Sequence, residues 1–358
     1  MNTAIQTQSL NFRKAKSGDI KHIWEIILQA KSQMFLLKSK QWDEYYPSVE
    51  DIRGDIKAQN GYVLCLKKRI IAYGVISFDG EPAYEEIDGK WRNSLPYVIV
   101  HRLAVTDDMK HQGIARLFMQ QAEELSRSKG IYNFRIDTNY DNKYMLHLIA
   151  SLGFKYSGKV LYRGNKERKA FEKCILPHSN VLPISGYTIR EAIFEDAEAI
   201  YKAIDSNRDD LRTWLPFVDN LKNVKDEQIF LKSVQEVPYK ERDLVFIINN
   251  NTEVCGLIGF HFSDLNNHRT EIGYWLLPAH RGKGVITEAV RFLCHLAFEE
   301  KDFNRIQIRC AVNNQDSNAI PQRLGFLKEG IERDGELLVS GQYTDINVYS
   351  LLKKEFNL

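Results

Sequence analysis

The apolar positions of the chain fall into two successive copies of one pattern. In the first copy Leu10 to Ala15 reads as a strand, and Asp19 to Lys31 carries apolar residues at helical spacing. Gly61 to Leu66 and Ile70 to Phe78 predict two strands around the basic turn Lys67-Lys68-Arg69. Tyr97 to Val105 predicts a strongly apolar strand, and Ile114 to Lys129 an amphipathic helix stopped by Gly130. Asn133 to Thr138 follows as a strand and Asn142 to Leu152 as a helix ending at Gly153. The second copy repeats the order. Tyr187 to Ala192 predicts a strand, with helices on both sides of the break Trp214-Leu215-Pro216. Strands are predicted at Leu244 to Asn249, Val254 to Phe262 and Glu271 to Leu277. A helix at Val285 to Glu300, a strand at Arg305 to Val312 and a helix at Ser317 to Leu324 complete the copy. This order is mixed α/β, an antiparallel meander leading into a strand-loop-helix unit.

Single landmarks recur with the pattern. Arg13, Ala15 and Asp19 return 177 residues on as Arg190, Ala192 and Asp196. The loop Lys110-His111-Gln112-Gly113-Ile114-Ala115-Arg116 returns 171 residues on as Arg281-Gly282-Lys283-Gly284-Val285-Ile286-Thr287. Asn142 returns as Asn314, and Gly153-Phe154 as Gly325-Phe326, both 172 residues on. Landmarks in one order at a nearly constant offset identify a tandem of two related domains. The stretch Ile175 to Gly186, with Pro177, Pro183 and Gly186, interrupts both patterns. It divides the chain into expected domains at residues 1–177 and 184–358. With 358 residues, each half is long enough for its own core.

Composition acts by exclusion. With 44% apolar and 27% charged residues, the chain is that of an ordinary soluble globular protein. A formal charge of +2 gives no electrostatic case for nucleic acid. No apolar run approaches the length of a membrane span, and the polar Met1 to Leu10 carries no secretory signal. Cys65, Cys174, Cys255, Cys294 and Cys310 are scattered and lack CxxC spacing. They predict reduced, mostly core residues of a cytoplasmic protein, with neither a disulfide framework nor a metal site.

The repeated glycine loop, between a strand and a helix, suits a pyrophosphate. Glycine lets the backbone approach, and the free amides and dipole of the first helical turn attract the anion. A tight turn without ligand is the alternative for one such loop, and two copies with basic flanks shift the balance to binding. Neither copy has the Gly-Lys-Ser/Thr ending of a Walker loop. A dinucleotide loop would follow the first strand of its domain, whereas this one follows three or four.

On these residues both halves resemble the GNAT superfamily of acetyl-CoA-dependent N-acetyltransferases. The shared signature is Arg/Gln-x-x-Gly-x-Gly/Ala, then Asn-x-x-Ala/Ser, then Gly-Phe. The second half is similar to the ribosomal-protein-serine/alanine acetyltransferases, through Ile272-Gly273-Tyr274-Trp275-Leu276, the loop from Arg281, Thr287-Glu288-Ala289, Asn314-x-x-Ser317 and Arg323-Leu324-Gly325-Phe326. The resemblance implies two tandem GNAT folds in which acetyl-CoA enters between two splayed strands. It implies that Leu103, Ala104 and Val105, and Trp275, Leu276 and Leu277, bond the pantetheine amides. By the same carry-over Lys110, Gln112, Gly113, Ile114, Ala115 and Arg116, and Arg281, Gly282, Lys283, Gly284, Val285, Ile286 and Thr287, hold the pyrophosphate. Asn142 and Asn314 contact the cofactor, or cap their helices.

The chain departs from the family in places. Ile286 stands where Gly or Ala is usual, so the first half, with Ala115, is expected to bind acetyl-CoA at least as well as the second. The family's general-acid tyrosine falls on Ile149 and Pro321, which have no proton to give. Ser317 is the substitute in the second half, and Tyr140 or Tyr144 the candidate in the first. Glu271 and His101, each on a central strand, are candidate bases, with a salt bridge and a core position as the alternatives. Trp42, Tyr45 and Tyr46, and Trp214 and Phe217, are candidate walls of an acceptor pocket. The expected function is transfer of an acetyl group to an amine, on a protein N-terminus or a small molecule. The competing function is an acyl-CoA sensor or scaffold with one or both domains degenerate.

Overall fold

A computed structural model describes residues 10–39, 41–162, 166–251 and 253–356. The polar stretch at residues 1–9, which carried the expectation of no secretory signal, lies outside the described residues. The chain divides into two units, Met1–Leu176 (unit 1) and Pro177–Leu358 (unit 2).

Unit 1 runs β1 (Leu10–Lys14), α1 (Ile20–Leu36), α2 (Val49–Lys57), β2 (Gly61–Leu66), β3 (Arg69–Ser77), β4 (Asp88–Gly89), β5 (Tyr97–Val105), α3 (Ile114–Arg127), β6 (Asn133–Thr138), α4 (Lys143–Ser151), β7 (Lys155–Tyr162) and β8 (Lys166–Cys174). The strands form one sheet in the order β1-β2-β3-β5-β6-β8-β7-β4. Side chains alternate across the sheet, so each strand feeds two cores. Tyr62, Leu64 and Ile71 join α3 on one face. Val63, Cys65, Ile70 and Tyr73 join α1 and α2 on the other.

Unit 2 runs β9 (Asn180–Val181), β10 (Tyr187–Glu191), α5 (Ala197–Asp205), α6 (Arg208–Leu211), α7 (Val224–Glu236), β11 (Val245–Asn250), β12 (Glu253–Asp264), β13 (Arg269–Leu276), α8 (Val285–His295), β14 (Arg305–Ala311), α9 (Gln315–Arg323), β15 (Leu327–Leu337) and β16 (Tyr343–Leu352). Its sheet order is β15-β16-β14-β13-β12-β11-β10-β9. Phe246, Ile248, Ile258 and Phe260 pack with α8, while Val245, Ile247 and Leu257 pack with α5 and α7. The helix from Val285 ends as a π-helical turn over Leu296–Glu300. Among the described residues no helix is long and apolar enough to cross a membrane.

The repeated landmarks have structural work. Arg13 grips Asp19 with two bonds at 2.7 and 3.0 Å. Arg190 grips Asp196 likewise at 2.8 and 2.6 Å. Each aspartate also accepts a backbone N–H three residues upstream, from Lys16 and Ile193. The pair therefore fixes how the first strand of each unit turns into its first helix. Gly153 and Gly325 have φ of 84° and 77°. Phe154 N–H donates to the Ile149 carbonyl at 3.2 Å and Phe326 N–H to the Pro321 carbonyl at 3.0 Å. This is a left-handed helix end whose following aromatic is buried. Four of the five cysteines are buried, and Cys174 is half-buried.

Candidate functional site

Both sheets split at the same place. In unit 1, β5 and β6 run parallel and pair only over Tyr97–Ile99 and Asn133–Arg135. In unit 2, β13 and β14 pair only over Arg269–Glu271 and Arg305–Gln307. Beyond those residues the strands diverge and leave a wedge with unpaired backbone on its walls.

In unit 2 the wedge opens onto the glycine loop as one cleft of about 890 Å³. Gly282 and Gly284 have φ of 73° and 78°, a conformation that glycine takes at little cost. Gly284 caps α8 through its backbone alone, so the first-turn amides are left for a ligand. The loop's cations bond protein oxygens. Arg281 bonds Asp210 at 3.1 Å and the Leu276 carbonyl at 3.2 Å. Lys283 bonds the Ala279 carbonyl at 2.9 Å. Thr287 is buried and accepts from Arg323 at 2.8 Å. Ile286 does not crowd the helix start, because its side chain turns into the core with Val285.

The strand residues expected to meet pantetheine do not all turn their amides to the wedge. Leu277 N–H donates to the Cys255 carbonyl of β12 at 2.8 Å, while the Leu276 carbonyl faces Arg281. Main-chain groups alternate sides along a strand. The amides turned to the wedge are therefore those of Tyr274 and Leu276; Trp275 and Leu277 turn theirs to β12. In unit 1 Thr106 N–H donates to the Ile71 carbonyl at 3.0 Å, so Leu103 and Val105 face the wedge and Ala104 does not.

At the far end of the unit 2 cleft stands Ser317. Asn314 caps α9, its Oδ1 accepting from Ser317 N–H at 3.1 Å, and also lines the cleft, so both expected roles are compatible. The Ser317 hydroxyl lies 3.3 Å from the Tyr274 hydroxyl and 3.2 Å from Cys310 Sγ. Tyr274 in turn donates to the Ser317 carbonyl at 3.1 Å. Burial holds the Tyr274 phenol well above its ordinary pKa and raises the Cys310 thiol. Nothing in the sequence signals a role for Tyr274, because an aromatic on a central strand reads as core. Glu271 lies on the last paired rung of β13, accepting from Gln307 at 3.5 Å, and burial raises its pKa. Trp214 lines the cleft, whereas Phe217 is exposed outside it.

Unit 1 has the same loop but a different wedge. Gly113 has φ 81° and caps α3 by backbone alone. Ile114 is buried in the core, and Ala115 follows it half-buried in the first turn. Lys110 bonds Asp107 at 2.5 Å, Gln112 the Asp108 carbonyl at 2.8 Å and Arg116 the Ser151 hydroxyl at 2.6 Å. The wedge itself is closed down to a recess of about 40 Å³. Gln41, from the segment between α1 and α2, fills it. Its Oε1 accepts from Thr138 Oγ1 at 3.2 Å, Asn139 N–H at 3.3 Å and Asn142 Nδ2 at 3.0 Å. Asn142 is 4% exposed, caps α4 and lines this recess, with its Nδ2 held by Gln41. The open cleft thus lies in the second half and not in the first, which was expected to bind acetyl-CoA at least as well.

His101 lines the recess with its Nε2 3.4 Å from Glu81, a neighbour that no motif signalled. Tyr144 stands outside it. One residue before Met145 on α4, it projects to the exposed side with its ring against His111. Tyr140 is exposed and bonded to Glu167. Trp42 and Tyr46 line the recess, Tyr46 accepting from Arg102 at 2.7 Å, and Tyr45 is exposed.

Both halves match known proteins. Residues 24–154 match the acetyltransferase (GNAT) family and residues 187–327 the acetyltransferase (GNAT) domain. A putative ribosomal N-acetyltransferase, YdaF of Bacillus subtilis (strain 168), is 38% identical over 174 residues, 47% of this chain and 92% of that protein. The ribosomal-protein-serine acetyltransferase of Escherichia coli (strain K12) is 34% identical over 155 residues, 42% of this chain and 84% of that protein. A microcin C7 self-immunity acetyltransferase, MccE, solved with acetyl-CoA and AMP, is 28% identical with a TM-score of 0.44, covering 47% of this chain and 93% of its own. A wedge and a glycine loop recur in both halves, each half matches the family, and the chain belongs to the GNAT acetyltransferase family.

Proposed function

We propose that unit 2 transfers an acetyl group from acetyl-CoA to an amine, and that the amine is a protein N-terminus. The observation that carries this is the single cleft joining the amides of residues 282–287 to Ser317 along the unpaired wall of β13. Pyrophosphate on the loop and pantetheine on Tyr274 and Leu276 would bring the thioester to the first turn of α9. The amine nitrogen attacks the thioester carbon, the C–S bond breaks, and the thiolate takes the Ser317 proton while the nitrogen's second proton passes to the serine oxygen, leaving a neutral amide and a neutral hydroxyl. The ammonium proton leaves through water to Glu271, whose raised pKa makes it a stronger base than a free carboxylate. The chain's similarity to proteins named for ribosomal acetylation, together with the unit 2 motifs that resemble that branch, supports a protein acceptor.

For unit 1 the favoured reading is a degenerate partner, since Gln41 occupies the wedge and Leu103 and Met145 replace the Tyr274 and Ser317 of unit 2.

The test is coenzyme A release with peptides that have a free Ser or Ala N-terminus against the same peptides with the terminus acetylated. Turnover only with the free termini is expected; equal rates, or none, would reject the acceptor. Ser317→Ala should lower kcat about tenfold with acetyl-CoA affinity unchanged. That is below the usual range of about 10²- to 10⁴-fold for general-acid help, because a thiolate leaves readily. An unchanged kcat would reject Ser317 as the acid.

A further inference from the structure

We propose that Tyr274 is a positioning residue that fixes the Ser317 hydroxyl for proton transfer to the departing thiolate; this rests on Ser317 being the acid of unit 2. The two residues come from opposite walls of the wedge, Tyr274 from β13 and Ser317 from the first turn of α9. A phenol has one proton, and here it goes to the Ser317 carbonyl at 3.1 Å. The Tyr274 oxygen is then left as an acceptor for the Ser317 hydroxyl at 3.3 Å, with Cys310 Sγ as the other at 3.2 Å. One side chain thus ties down both the backbone and the hydroxyl of the same serine.

The bond to Tyr274 is long for a hydroxyl pair, whose usual range is about 2.5–3.0 Å. It holds Oγ in one rotamer without locking the proton. A thiolate offers a charge-assisted bond roughly twice as strong as a neutral one, so the proton swings to it when the C–S bond breaks, and the serine oxygen takes the second proton of the attacking nitrogen. The serine alone would sample other χ1 wells. Tyr274 stays neutral through this, because its burial keeps the phenol protonated.

Unit 1 supplies the contrast. At the positions matching Tyr274, Ser317 and Cys310 it has Leu103, Met145 and Thr138. Leu103 and Met145 are packed against the apolar core there, and Thr138 bonds Gln41. The whole arrangement is absent where the wedge is closed.

The experiment compares kcat for Tyr274→Phe, Ser317→Ala and the double variant in the full chain, at saturating acetyl-CoA with a free-Ser peptide. Rates are normalised to the calorimetric stoichiometry of coenzyme A, which keeps a partly unfolded variant interpretable. Tyr274→Phe should lower kcat about fivefold with the acetyl-CoA KM within about twofold. The double variant should be no slower than Ser317→Ala alone, since the tyrosine acts only through the serine. A wild-type kcat in Tyr274→Phe, with Ser317→Ala slowed, overturns the role of Tyr274 alone. Losses that multiply in the double variant also overturn it, pointing to a general packing role. An unchanged kcat in Ser317→Ala overturns the assignment of Ser317, and this inference with it.

Discussion

Replacing Gly284 with valine is expected to remove acetyl-CoA binding from unit 2, with a loss of affinity on the order of 10²- to 10⁴-fold. Gly284 sits at φ 78°, ψ 3°, just before the first turn of α8. A β-branched residue there is strained by about 1–2 kcal/mol or more, and the loop relieves this by leaving the left-handed region. The amides of Val285, Ile286 and Thr287 then lose their common aim. Hydrogen bonds to a charged group contribute about 1.5–3 kcal/mol each, so losing two of them gives the stated range. Space is not the cause: a Cβ at Gly284 would meet only Ile184, at 3.7 Å. The variant should therefore fold, with melting close to that of the wild type. Isothermal titration with acetyl-CoA checks the expectation, and an unchanged dissociation constant would remove the loop from the cofactor site.

Raising the pH from 4 to 8 is expected to weaken unit 2 through a single side chain, Glu227. This carboxyl on α7 is 4% exposed, and its Oε1 has no hydrogen-bond partner. Burial pushes its pKa from an ordinary 4.5 up to about 7. Below 4.5 the group is protonated both folded and unfolded, and its full contribution is present. Between 4.5 and 7 the unfolded chain gives up the proton while the folded chain retains it, so stability falls as the pH rises. Above 7 the loss is complete, and the shift corresponds to about 3 kcal/mol. Glu227→Gln cannot ionise, so at pH 8 it should melt roughly 6–12 °C above the wild type, and at pH 4 beside it. Other groups titrate over the same range, so the quantity to read is the difference between the two proteins. Parallel melting curves across that range would contradict the assignment.

The sequence made the fold legible wherever a residue serves one strand or helix end. Gly61–Leu66, Tyr97–Val105 and Asn133–Thr138 have the expected bounds, because apolar strands between two cores carry a strong signal. The two terminal hairpins were not foreseen. In β15 all but one residue is exposed, so no alternation of apolar and polar positions is written there. The helix α2 was missed for a related reason: only Ile52, Asp55 and Ile56 are buried in a short polar stretch. Of the candidate site, the two glycine loops could be read from residue type alone, since a left-handed backbone before a helix calls for glycine. What could not be read is which backbone amides face the wedge, as that depends on the register with β3 and β12. Nor could Gln41, about a hundred residues from its partners Asn139 and Asn142, be connected to them. The recess that Gln41 lines in unit 1 was therefore not legible from the loops, which look alike in the two units.

Whether unit 2 carries the chemistry is tested most directly by steady-state coenzyme A release from the wild type and from Gly284→Val with one peptide bearing a free N-terminal serine. A rate at least 100-fold lower in the variant, on the order of the binding loss argued above, is the predicted result. An unchanged rate would place the reaction in unit 1, behind Gln41, and contradict the account.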